Sequence, residues 1–145
     1  MKNQGLMAAL LLTATFSVQA NDIDRAEAYD DAQTLGQCAG LLEFYSQFQA
    51  AKGNSASAEN LHQKANGWRI ASMGALTAAG WEESNILSTA DSIYSGSLAS
   101  WHSALEHDVS SLAGKLTDTL DSCLKINDKQ ESYRRLIKLK TLAPE

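Results

Sequence analysis

A single proline, Pro144, stands in the 145 residues. The body of the chain therefore lacks the one residue that both removes a backbone donor and locks φ against a helix interior. Valine is almost as scarce: beyond residue 20 only Val109 remains. Depletion of β-branched residues disfavours sheet. These two absences lead to an all-α reading, an up-and-down antiparallel bundle of three or four long helices.

Apolar spacing supports this reading. Leu35, Cys38, Leu42, Tyr45 and Phe48 recur every three or four positions, a stripe on a first helix running from about Asp22 to Ala51. Gly53 suits the left-handed position after that helix, and Asn54 or Ser55 can cap the next one. A second helix, about Ser57 to Ala79, shares Leu61, Ala65, Trp68, Ser72 and Leu76 on one face, and its small residues permit close helix approach. Gly80 ends it. A third stripe runs from Ile86 through Trp101, Leu105, Val109, Leu112 and Leu116 to Cys123, at a mean spacing of about 3.7, near the 3.6 of a straight helix. One continuous helix is the expectation there, with Ser95-Gly96 and His107-Asp108 as candidate breaks. The last segment, Asn127 to Leu142, either starts anew or continues the same helix, because Cys123, Ile126, Gln130, Tyr133 and Ile137 keep the period. Trp68 and Trp101 fall on the stripes and are expected in the core.

The amino terminus carries a different pattern. Met1-Lys2, an apolar run from Leu6 to Val18, and Val18-Gln19-Ala20 before Asn21 have the layout of a secretory signal peptide cleaved near Ala20-Asn21. The apolar run is too short for a membrane span, which needs about twenty residues. The division is thus signal peptide at 1–20 and one helical-bundle domain at 21–145, periplasmic or secreted. Loss of Lys2 takes the net charge from −5 to −6. An acidic balance disfavours nucleic acid, which is bound through basic patches, and no later stretch is apolar enough to span a bilayer.

Export makes a disulfide between Cys38 and Cys123 the natural expectation. The geometry agrees. Cys38 lies 17 positions after Asn21 and Cys123 lies 19 before Leu142. On antiparallel terminal helices with flush ends they meet within about 3 Å of the same height. The same pairing sets Asp22, Asp24, Glu27, Asp30 and Asp31 beside Arg134, Arg135, Lys138 and Lys140.

Catalytic signatures are sparse. Of the histidines, His102 shares a helix face with Glu106, and His62 on another helix could complete a metal site, but His-Glu-x-x-His is absent and the ordinary reading is surface histidines. Cys-x-x-Cys-His is absent, and Met73 is the one thioether after residue 20, so no cofactor is expected. Gly-x-Ser-x-Gly is also absent. Trp81 differs from the other tryptophans: it follows Gly80 at a helix junction, either as a lid on the bundle end or as an anchor for a partner. The stretch from Trp81 to Tyr94 is the candidate contact surface. The expectation is a non-enzymatic exported protein that binds an unidentified envelope protein, the alternative being a carrier of a metal or small apolar ligand in the bundle interior.

Overall fold

The computed structural model describes the backbone of residues 12–142 and the side chains of residues 24–138. Four helices follow one another: α1 (Leu12–Ala51), α2 (Ser55–Ala78), α3 (Glu83–His107) and α4 (Val109–Leu142). Successive helices run antiparallel. Most of the expected signal peptide lies outside the described residues, and α1 begins well before Asp22.

Both short connections are closed by the same backbone device. Gly53 and Gly80 have φ of 81° and 82°, the left-handed region open to glycine. After α1, the Gly53 N–H donates to the Ala50 carbonyl and the Asn54 N–H to the Gln49 carbonyl. After α2, the Gly80 N–H donates to Thr77 and the Trp81 N–H to Leu76. This is the Schellman pattern, which satisfies carbonyls that a helix end would otherwise orphan. Asn54 stands at the N-cap position of α2 but makes no side-chain cap; its amide donates instead to Gln49 Oε1 at 2.8 Å.

α1 is the central element. From Asp31 to Ser46 nearly every face is covered, not the single stripe read from the large residues: Ala32, Leu35, Ala39, Leu41 and Phe44 are buried, whereas Phe48 is exposed. Small residues make this possible. α2 packs antiparallel on α1, held at its two ends by buried hydroxyls: Ser46 Oγ donates to the Ala58 carbonyl at 2.7 Å and Ser72 Oγ to the Ala32 carbonyl at 2.8 Å. α3 packs parallel to α1, where Gly40 admits Ser97, whose hydroxyl donates to the Gln37 carbonyl at 2.9 Å. Trp101 is buried as expected, beside Leu41 and Phe44; Trp68 is half-buried against the larger cluster of Ala32, Leu35, Ala71, Ala75, Leu76 and Ile126.

The third stripe is not one helix. It breaks at Asp108 (φ −148°, ψ 60°), the second of the two candidate positions, and its latter part is continuous with the last segment as α4. The cause is local. Short polar side chains compete with helical hydrogen bonding, and the Asp108 carboxylate accepts from Ser111 Oγ at 2.6 Å and Ser110 Oγ at 3.1 Å, capping the start of α4. Those hydroxyls hold the Asp108 carboxyl below its ordinary pKa. Beyond the break α3 and α4 diverge, and α4 packs mainly on α2.

The Cys38–Cys123 disulfide joins α1 to α4, with Cα atoms 5.8 Å apart. An 85-residue separation makes the cross-link worth about 4.5 kcal/mol in the chain-entropy picture. The acidic stretch of α1 does meet a cation of α4, Lys129, while the expected Arg134 and Arg135 do not take that place. Lys129 Nζ lies 2.5 Å from Glu27 and 3.0 Å from Asp31, and Tyr133 donates to Asp31 at 2.7 Å. Arg134 and Arg135 instead face Glu131 of their own helix. The disulfide register explains this, because it sets Asp31 opposite Lys129 and Tyr133. The side chains of Asp22 and Lys140 lie outside the described residues.

Candidate functional site

The α2–α3 turn places Trp81. Its N–H is fixed by the Schellman bond to Leu76, and its ring stacks on Tyr29 of α1, with centroids 5.7 Å apart and planes 6° from parallel. Trp81 is 38% exposed and Tyr29 is 36% exposed. Arg25 lies beside Gly80, its guanidinium carbon 3.4 Å from where a Cβ would stand. The end of the bundle therefore presents two flat rings with an arginine beside them, and Leu87, 52% exposed, lies one turn into α3. Tyr29 was not singled out in the sequence. The hairpin that returns α2 along α1 was the available clue, since it brings the start of α1 to the end of α2.

Tyr94 does not join this surface. It sits mid-helix in α3, about 16 Å along the axis from Glu83, half-buried against Arg69, whose guanidinium carbon is 5.9 Å from the ring centroid. Arg69 is itself paired with Asp91, Nε to Oδ1 at 2.6 Å. Burial, and after it the charge of Glu43, pushes the Tyr94 phenol above its ordinary pKa. The contact surface imagined from Trp81 to Tyr94 is thus two separate environments.

The metal candidates are also apart. His62 Nδ1 lies 2.8 Å from Oε2 of the buried Glu43, and His102 Nε2 lies 2.7 Å from Gln47 Oε1. Gln47 Nε2 reaches back to Glu43 Oε1 at 3.4 Å. His62 and His102 are therefore the two ends of a polar chain that ties α2, α1 and α3, with Phe44 set edge-on to the His102 ring. Glu106 turns toward His107 instead, 3.6 Å away. Among the described residues no three His, Cys, Asp or Glu side chains converge as a metal site.

None of the described helices is long and apolar enough to cross a membrane. No protein-family model, curated protein or solved structure matches this chain.

Proposed function

We propose that this is an exported helical binding protein that acts in the cell envelope by docking a protein partner on the aromatic end of its bundle. The observation that carries the reading is the stacked Tyr29–Trp81 pair, over a third exposed on both rings and flanked by Arg25. Tryptophan, tyrosine and arginine are the side chains that dominate binding energy at protein interfaces. A pair already stacked loses little rotamer freedom on binding. Export is supported by the disulfide, a bond that persists in oxidising compartments and is rare in the cytosol, and by the signal-peptide pattern at residues 1–20.

The test is photo-crosslinking in the native cell, with a benzophenone side chain replacing Trp81 and, as control, the exposed Ser103 of α3. A discrete protein adduct from position 81 and none from 103 is expected. Trp81→Ala should weaken capture of that adduct's protein by about thirtyfold, the effect of losing a 2 kcal/mol anchor, with the helical circular dichroism unchanged. No adduct from position 81, or capture indifferent to Trp81→Ala, contradicts the proposal.

A further inference from the structure

A second surface lies beside the disulfide, roughly 15 Å along α2 from the aromatic end. Here α2 and the latter half of α4 run side by side and leave an open groove of about 670 Å³, within the range of small-ligand sites. Cys38 and Cys123 border it, so the covalent bond fixes one wall against the other.

The chemistry of the lining is one-sided. Although the chain holds 17 acidic residues, no carboxylate lines the groove. Its two charged residues are Lys64 and Arg134. The amides of Asn60, Asn66, Asn127 and Gln130 also line it, and none of the four is hydrogen-bonded to another described side chain. Trp68, half-buried against the core, also lines it.

Arg134 is the most informative of these residues. Its Nε is shielded from solvent and has no hydrogen-bond partner. Its Nη1 meets Glu131 only at 3.4 Å. The guanidinium lies over the buried Gly67, with Nη1 3.6 Å from where a Cβ would stand. With the Arg134 side chain 32% exposed and Nη1 held by Glu131 only at 3.4 Å, a carboxylate entering the groove would receive charge-assisted bonds from the Nη groups, the shielded Nε lying out of its reach. The surrounding amides each both donate and accept, which matches vicinal hydroxyls, and an indole face suits the apolar face of a sugar ring.

We infer that the groove between α2 and α4 is a binding site for an acidic saccharide, whose carboxylate pairs with Arg134 and whose hydroxyls pair with the flanking amides. The site is independent of the aromatic end.

The test is nuclear magnetic resonance titration of the full disulfide-bonded protein, reading the Trp68 indole and the side-chain amides named above. The probes are tetragalacturonate, a glucuronate-containing tetrasaccharide and a muramate-containing disaccharide, with methyl-esterified tetragalacturonate as the neutral counterpart and a tetraglutamate peptide as the non-sugar anion. Saturable shifts at the groove with at least one acidic sugar are expected, weakened about tenfold or more by esterification of that carboxylate or by Arg134→Gln. Gly67→Leu should abolish them by filling the groove, and Arg135→Gln should leave them unchanged. Absence of saturable shifts with all three sugars, equal binding of tetraglutamate, or indifference to Arg134→Gln overturns the inference.

Discussion

Two glycines of α2, seven positions apart, give a sharp test of how α4 is seated. A Cβ added at Gly74 would overlap the backbone carbonyl of Tyr133, with the carbonyl carbon at 2.7 Å and the Cα at 3.2 Å. Carbon atoms in contact prefer about 3.5–4.0 Å, so α4 would have to recede by roughly 1 Å. Backbone cannot rotate away as a side chain can, which places the cost at the upper end of overpacking, about 3 kcal/mol. The better helix propensity of alanine returns about 1 kcal/mol, leaving Gly74→Ala destabilised by about 2 kcal/mol. At Gly67 the same Cβ would sit 3.5 Å from Gln130 Nε2 and 3.6 Å from Arg134 Nη1, ordinary contacts with flexible side chains. Gly67→Ala should therefore gain up to about 1 kcal/mol. The variants should differ by about 3 kcal/mol, or roughly 12 °C in Tm for a domain of this size. Urea unfolding followed by circular dichroism at 222 nm, with the disulfide intact, measures both. Equal shifts for the two variants, or a Gly74→Ala protein as stable as the parent, would refute the close seating of α4 on α2.

Two other outcomes follow from titratable groups. Hydrogen bonding to Glu27 and Asp31 raises the pKa of Lys129 above 10.5, and burial followed by the bond to Asp31 raises that of Tyr133 above 10.0. Folded values above unfolded ones mean a contribution complete below about pH 10 and lost as the pH climbs beyond it; the urea midpoint should fall in that range, and Asp31→Asn should shallow the fall. At the other end of α4, Asp108→Ala removes the acceptor for Ser110 and Ser111, so amide hydrogen exchange should quicken over Val109–Leu112 while the α2 core keeps its protection.

Much of the fold is legible in the sequence because its signals are periodic and local. The absence of proline, the stripes and the two glycines specify helices and turns, and the matched heights of Cys38 and Cys123 specify an antiparallel pairing that the structure shows as a bond. The break at Asp108 falls at one of the two candidate positions, but periodicity favours a continuous helix there because one non-helical residue leaves Leu105 and Val109 four apart, the same spacing as within a helix. The burial of nearly every face of α1 from Asp31 to Ser46 is hidden because Ala32 and Ala39 carry too little apolar surface to mark a stripe, yet such residues let three helices close around it. Charge sign alone points to the cluster of Arg134, Arg135, Lys138 and Lys140 as facing the acidic stretch of α1; register sets Lys129 against Asp31. For function, Trp81 could be singled out from its place after Gly80, but Tyr29 becomes its partner only when the hairpin closes. The groove residues read as ordinary solvated amides until α2 and α4 are set side by side.

α1 and α4 are joined by the Cys38–Cys123 bond, and both proposed surfaces stand on that frame. Thiol trapping with an alkylating reagent during isolation from the native compartment, followed by intact mass, tests it most directly. An unalkylated protein lighter by two hydrogens than the reduced chain is expected; two alkylated thiols would refute the disulfide frame.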